Sequence, residues 1–478
     1  MKIKKTLTLE TMNQKLVGID YAVRGPVVQR AYQIEDELKK GAKMPFERVI
    51  RANIGDCHAL GQKPITFVRQ VVAVAACPQL MRSPDIPDDV KARAQEVLDE
   101  CVQGSVGAYS PAPGLPCVRT RVARHLEERD GVAAAPDDVL LGAGVTDLVR
   151  ALLAMFAQDV HGKPTGVMVP TPQYPLFSGS LTELGLRRVD YVLDESHDWA
   201  LTVSELERSW RAARHDCCVR VLVVINPGNP TGKVLERENM EEIIKFAYER
   251  NLFLLSDEVY LESVVTKPFI AFRKVVHEMG APYSSIEMAS FLSASKGWTC
   301  EAGLRCGAME LRGVSPRVMR AYNVANTLRQ CPSVLGQCVM LCAVYPPEPE
   351  DPSYETFSKE LEVIRGPLKH RALQAEIAFN KIPGYFCSPI EGGLFAFPRF
   401  GLPQRALEAA KKARMPPDDF YCLQMLEETG VCVVPGSGFG QQPGTYHYRI
   451  TVLHSRQELD FMITSIDRFH RKFLQTYS

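Results

Sequence analysis

Residues 219–225 are apolar at every position except Arg220, the pattern of a β-strand buried on both faces. Such strands belong to parallel sheets, and a parallel sheet needs helices to cover it. The helix follows directly: Met240, Ile243, Ile244, Ala247 and Tyr248 recur at i, i+3, i+4, i+7 and i+8, which gives one apolar face. Residues 252–255 form the next strand, which stops at Ser256-Asp257-Glu258. The same alternation begins near residue 139, with a strand over 139–141, a turn over 142–145, a helix over 146–156 and a strand over 167–169. It predicts an α/β fold with a three-layer, mostly parallel central sheet. Ligands of such sheets bind beyond the carboxyl ends of the strands, so the residues after each strand are the candidates for chemistry.

The flanks are different. Residues 1–45 show little periodicity and contain Gly25-Pro26, so they are expected to form an arm that packs on another surface, a partner subunit among them. Helices are expected over 88–102 and 118–129. Proline and acid crowd residues 345–352, which marks the end of the alternating unit. Beyond it the pattern predicts helices over 354–379 and 417–429 and short strands over 394–397, 431–434 and 446–452. A chain of 478 residues exceeds what one core organises, so more than one domain is expected.

Lys+Arg and Asp+Glu both number 56, a balance that argues against nucleic acid as a partner and for small-molecule chemistry. The 14 cysteines include no C-x-x-C pair, so neither a metal centre nor a redox dithiol is expected from spacing, and the thiols read as reduced core residues. No apolar run is long enough for a membrane span. Four lysines in residues 2–15 are accompanied by Glu10 and no arginine, a poor transit peptide, so a cytoplasmic location is expected with an organelle left open.

Four strand ends carry candidates. Lys296, in Ser293-Ala294-Ser295-Lys296-Gly297-Trp298, follows the largely apolar run 286–292. Burial at such a turn favours a neutral amine and Schiff-base chemistry, although a lysine beside a serine is equally compatible with a solvated surface. Gly142-Ala143-Gly144-Val145-Thr146 opens a helix whose free N–H groups suit a phosphate. Asp147 stands where a dinucleotide fingerprint needs its third glycine, and a plain strand-to-helix turn remains open. Asp257 needs a partner if buried; a protonated pyridine nitrogen or a helix cap would serve. Asn226-Pro227-Gly228-Asn229-Pro230-Thr231-Gly232 holds Asn229 as a rigidly placed amide.

Taken in order, Asn229-Pro230-Thr231-Gly232, Asp257 with Tyr260, Ser293-x-Ser295-Lys296 and Arg305 resemble the fold-type I aminotransferases that use pyridoxal 5'-phosphate. Pro172-Gln173-Tyr174-Pro175, the segment 420–440 and Gly444-Thr445-Tyr446-His447-Tyr448-Arg449 are similar to the alanine-specific branch of that family. The resemblance implies that Lys296 anchors the cofactor covalently and shuttles the proton between Cα and C4′. It implies that Asp257 faces the pyridine nitrogen, that Asn229 and Tyr260 face the ring 3-oxygen, and that Tyr174 stacks on the ring. Val145 and Thr146 amides, Ser293 and Arg305 would hold the phosphate. Tyr109 would reach the phosphate of a neighbouring subunit, which makes a homodimer. Arg449 would grip the substrate carboxylate, bordered by Gly55 and Asn229. Strand alternation places His447, Arg449 and Thr451 on one face, which is equally the pattern of a solvated face.

The same resemblance implies a large cofactor domain over 101–345 and a smaller α+β domain built from 46–100 and 346–478. The expected reaction exchanges the amino group of L-alanine with 2-oxoglutarate. A transaminase for another small amino acid or for glyoxylate, a carbon-sulfur lyase on the same scaffold, and a non-catalytic cofactor-binding regulator are the alternatives. The stretch Trp298-Thr299-Cys300 departs from the family pattern, and Cys300 and Cys306 are expected to serve packing. Gly436-Ser437-Gly438-Phe439-Gly440 is expected to be a loop at the edge of the site.

Overall fold

A computed structural model describes residues 5–19, 21 and 25–478. Seven strands make the central sheet: β1 (Val139–Gly142), β2 (Lys163–Thr171), β3 (Arg187–Val192), β4 (Cys218–Ile225), β5 (Phe253–Asp257), β6 (Met288–Ser293) and β7 (Gly307–Arg312). A two-residue piece, Asp159–Val160, adds to the start of β2. Their spatial order is β1-β7-β6-β5-β4-β2-β3. Pairing is parallel from β6 through β5, β4 and β2 to β3, and β7 alone runs against both of its neighbours. The expected mostly parallel sheet is present, and its interior strands are apolar because helices cover both faces. On one face Val167, Val221 and Leu255 pack with Leu148 and Leu152 of the helix Val145–Ala154. On the other, Leu222 and Leu254 pack with Met240 and Ile244 of the helix Arg237–Glu249.

The helices Thr66–Ala76 and Asp88–Glu100 lie against Pro116–Asp130 and Val334–Val344, sharing a core of Val68, Val97, Val118 and Val339. The long helix Tyr354–Phe379 and the helices Pro417–Thr429 and Arg456–Tyr477 enclose a second core. Short strands β8 (Phe395–Ala396), β9 (Val434–Pro435) and β10 (Tyr448–Thr451) form a small antiparallel sheet there, with β10 central.

The N-terminal arm differs from expectation. Residues 26–39 form a helix, Pro26–Lys39, started by Gly25 and by Pro26 in its first turn. Gly-Pro, taken as a sign of irregular chain, here begins a helix, because proline lacks only an N–H that the first turn leaves unused. Val27, Ala31 and Ile34 recur at helical spacing and are buried with Met425 and Tyr448 of the same chain. Ile50–Arg51 then pairs in parallel with Val431–Cys432, so chain segments nearly 400 residues apart share one core.

One buried ion network fastens the large unit. Arg273 is completely buried, donating from Nε to Glu310 on β7 at 2.8 Å and from Nη1 to Asp130, at the end of Pro116–Asp130, at 2.8 Å. Its remaining N–H groups reach the carbonyls of Leu126 and Val132. Removing one member of such a network leaves buried charges uncompensated, at a cost of roughly 3–5 kcal/mol. Arg273→Met is therefore expected to lower the urea midpoint strongly; a midpoint equal to that of the unaltered protein would show that the network contributes little.

Candidate active site

Each parallel strand stops where its apolar run stops, and the next residues turn toward a common edge. Asp257 closes β5, and the backbone N–H of Asn226, just past β4, donates to its carbonyl. Ser293 closes β6 and begins the tight turn to Lys296, whose backbone N–H donates to Ser293 O at 3.4 Å. The amide of Ser295 donates to Ser293 Oγ at 3.2 Å. Lys296 is drawn inward, and its Nζ donates to the Gly55 carbonyl at 3.3 Å and lies 5.4 Å from the Tyr260 ring centre.

Burial by itself lowers the Lys296 ammonium, yet the phenols of Tyr260 and Tyr174 and the thiols of Cys300 and Cys57 act the other way and leave it above its ordinary value. Burial alone would favour the neutral amine; in the chain alone the surrounding phenols and thiols tip the balance toward the cation. Asp257 behaves as a buried acid should. Desolvation pushes its carboxyl up to about 6, opposed by the Val259 N–H at 3.4 Å and by Lys296.

Arg449 sits on β10 with 3% exposure, which removes the solvated-face alternative. Its Nη2 donates to the Asn53 carbonyl at 2.9 Å and its Nη1 to Asn229 Oδ1 at 3.2 Å. The guanidinium stacks 3.8 Å from the centre of the Phe395 ring, with Phe439 at 4.9 Å. Its Nε is buried without a partner, and burial lowers its pKa. Gly55 is required beside it, since a Cβ there would fall 2.6 Å from Phe395 Cζ. Tyr260 packs edge-on against the same Phe395.

At the other end, Val145 and Thr146 occupy the first turn of the helix Val145–Ala154, whose N–H groups have no acceptor within the helix. Gly144 precedes them with φ +86°, and a side chain there would collide with the Arg305 guanidinium. Arg305 donates from Nη2 to Ala143 O at 3.0 Å, and from Nη1 to Ala302 O at 3.0 Å and Ser295 Oγ at 3.4 Å. Tyr174 caps the helix Pro175–Leu184, its hydroxyl 2.9 Å from that of Tyr21.

Among the described residues no carboxylate lies within ion-pair distance of Arg305 or Arg449, and no cation other than Lys296 acts on Asp257. A buried acid at one end and a cation beside a helix N-terminus at the other fit a flat ligand with a basic ring nitrogen and a phosphate. Pyridoxal phosphate has that shape. Arg449, bonded to Asn229 and stacked on the Phe395 ring that Tyr260 also meets, has the planar fork of N–H groups that suits a carboxylate. No group of three or more His, Cys, Asp or Glu among the described residues is arranged for a metal.

The structure thus brings together Lys296, Asp257, Tyr260, Gly55, Asn229 and Arg449, with Ser293, Arg305, Val145 and Thr146 toward the helix N-terminus. Tyr109 is apart and 78% exposed. Ser295 and Phe439 stand inside motifs the sequence already singles out, without a role of their own there; the sequence assigns no role to Asn53, Phe395 or Tyr21. Phe395 carried the faint signal of Gly392-Gly393 before it; Tyr21 carried none.

The aminotransferase class I and II family profile matches residues 75–466. Alanine aminotransferase 1 of Homo sapiens is 47% identical over 478 residues, covering 99% of this chain and 96% of its own. A protein of Dictyostelium discoideum described as "Probable alanine aminotransferase, mitochondrial" is 41% identical, covering 100% and 91%. The solved alanine aminotransferase of Pyrococcus furiosus superposes with a TM-score of 0.74 over 96% of this chain and 99% of its own, at 22% identity, a likeness of fold.

The raised acid has a measurable consequence. Because Asp257 binds its proton more tightly folded than unfolded, its contribution to stability is full below pH 3.8 and is lost as pH rises through about 6. At pH 8 the charged form costs about 3 kcal/mol at about 1.4 kcal/mol per pKa unit. In cofactor-free protein, Asp257→Asn is expected to unfold at a higher urea concentration than the parent at pH 8, with the gap narrowing toward pH 5. A gap that does not change with pH would remove Asp257 as its source.

Proposed function

The chain belongs to the class I and II aminotransferases, and from that premise we propose that it exchanges the amino group of L-alanine with 2-oxoglutarate, giving pyruvate and L-glutamate. The two half-reactions share one site, and the first oxo acid leaves before the second enters. The observation that carries the reading is Arg449, a buried cation with no carboxylate of its own, held between Asn229 and the carbonyl of Asn53, two residues before the Gly55 carbonyl that takes Lys296 Nζ.

Pyridoxal phosphate, when bound, supplies the aldehyde that accepts the amino group and an electron sink for the pair left at Cα. Asp257 would hold a proton on the ring nitrogen, where desolvation of the carboxylate makes the ion pair worth more. Asn229 and Tyr260 would orient the ring edge, and Tyr174 would cover its face. The first-turn amides of Val145 and Thr146, with Ser293 and Arg305, would bind the phosphate. Arg449 would fix the substrate carboxylate with two parallel hydrogen bonds and so turn the Cα–H toward Lys296. Lys296 Nζ, as the neutral amine, would take that proton and hand it back within the same site.

The protein acts as a homodimer in this reading. The solvent-facing Tyr109 supports a role across a subunit interface, where its hydroxyl reaches the neighbouring phosphate. We divide the chain into an arm (1–45), a cofactor domain (101–345) and a smaller domain from 46–100 and 346–478. The shared core of Ile34, Ile50, Met425 and Tyr448 supports joining the two chain ends, while the helices within 66–100 lie against the large unit. Cytosol is the compartment we propose, from the cysteine usage; no helix among the described residues is long and apolar enough to cross a membrane.

Protein mixed with pyridoxal phosphate is expected to gain a visible absorption band that alanine and glutamate bleach and that Lys296→Ala lacks. Failure of alanine to bleach it would overturn the substrate. Arg449→Gln is expected to lower kcat/KM by about 100-fold or more, as removal of one partner from a buried charge pair costs about 3 kcal/mol or more. Sedimentation should give a dimer. Tyr109→Phe should weaken cofactor binding about tenfold, the worth of one hydrogen bond to a charged group; unaltered affinity would remove Tyr109 from the site.

A further inference from the structure

Two thiols meet beside the lysine. Cys300 Sγ lies 2.9 Å from Cys57 Sγ, and both side chains are nearly sealed from solvent. Cys57 is two residues past Gly55, whose carbonyl holds Lys296 Nζ. Cys300 is four residues past Lys296; its backbone N–H reaches the Lys296 carbonyl at 3.4 Å, and its Sγ lies 3.0 Å from Gly297 O. Among the described residues no other two cysteines make a sulfur–sulfur contact of this kind. Neither thiol takes part in the amino-group chemistry described above.

The two sulfurs are not equivalent. Cys57 lines a cavity of about 550 Å³ that also touches Gln62, Lys63, Trp298 and Arg371, whereas Cys300 lies behind it. The S–H of Cys300 donates to Cys57 and, with the nearby Lys296 charge, holds the Cys57 thiol below its ordinary value against the opposing effect of burial. Cys300 is raised, by that same hydrogen bond and by burial. A low thiol on a cavity wall, next to a second one behind it, is the arrangement of an attacking and a resolving cysteine.

We propose that Cys57 and Cys300 form a redox pair that closes to an internal disulfide on exposure to hydrogen peroxide and thereby ties the Gly55 loop to the Lys296 turn. The Cys57 thiolate attacks one peroxide oxygen, the O–O bond breaks, and hydroxide leaves to take up a proton as water. The sulfur is oxidised to a sulfenic acid. Cys300 loses its proton as its sulfur attacks Cys57 Sγ; the S–S bond forms, the S–O bond breaks, and hydroxide leaves with that proton as a second water. Two thiols and one peroxide give one disulfide and two waters. A disulfide has an S–S bond of about 2.05 Å, so the sulfurs approach by less than ~1 Å. The link fixes backbone on both sides of Lys296. Since ~1 Å of misplacement costs on the order of 100-fold, turnover falls by about tenfold or more and returns when a dithiol reductant reopens the bond.

The test treats full-length, cofactor-loaded protein with hydrogen peroxide, alkylates the remaining thiols and digests it without reduction for mass spectrometry. One cross-linked peptide pair containing Cys57 and Cys300, lighter than its parts by two hydrogens, is expected, with turnover lost and then restored by dithiothreitol. Cys300→Ala should leave Cys57 as a sulfenic acid that dimedone traps, and Cys57→Ala should retain turnover under the same peroxide dose. Recovery of both cysteines alkylated, or a different pairing, overturns the proposal; a Cys57–Cys300 link with turnover unchanged overturns the switch. Only the turnover measurement rests on the proposed amino transfer, and failure of that reading would show as no turnover before oxidation, with the cross-link still formed.

Discussion

A strand buried on both faces places its larger polar side chains chiefly at its ends, and the sheet side of the site follows from that constraint. β4, β5 and β6 run parallel with largely apolar interiors, so Asn226, Asp257 and Ser293 come to one edge of the sheet. The helix Val145–Ala154 opens at the same edge after β1, bringing free N–H groups to it. The sheet supplies Asp257, Ser293 and the helix N-terminus. It does not supply Arg449, which comes from the small sheet and is held by the N-terminal segment.

Two buried arginines separate structure from function. Arg273 is fully enclosed, yet Glu310 and Asp130 neutralise it and carbonyls take its remaining N–H groups. Nothing about that site invites a ligand. Arg449 is almost as deeply buried but meets only an amide oxygen, a carbonyl and two aromatic rings, and leaves Nε without a partner. The protein bears the desolvation cost of that cation without a counter-charge of its own. Residue type and burial are the same in both cases, so the missing counter-charge is what distinguishes them.

Much of the sheet was legible because its signals are local. The apolar runs ending at Asp257 and at Lys296, and the helical spacing of Met240 through Tyr248, lie within a few residues of one another and need no knowledge of distant chain. The helix Pro26–Lys39 was equally local but was masked by Gly25-Pro26, read as irregular chain. Arg449 was not legible from pattern: alternation on β10 gives a face, and only packing against Phe395 and Phe439 says that the face is closed. The electrostatic balance at Lys296 depends on Tyr260, Tyr174 and two thiols, and no sequence window contains them together. Cys57 and Cys300 are 243 residues apart, so spacing rules for cysteine pairs are blind to them.

The segment from Asn53 to Cys57 now explains why the chain ends must share a core. Its Asn53 carbonyl holds Arg449, its Gly55 carbonyl holds Lys296, and Cys57 touches Cys300. Three contacts within five residues join Arg449, Lys296 and the turn that presents it. The segment is itself set by Ile50–Arg51, which pairs with Val431–Cys432, and by Ala52, whose carbonyl accepts from Thr451 on the strand that carries Arg449. A displacement of Arg449 therefore acts on the strand and on the Gly55 loop together, and a shift of that loop reaches Lys296 through one hydrogen bond. The link runs through backbone carbonyls, which no side-chain substitution within residues 53–55 can delete without moving the chain.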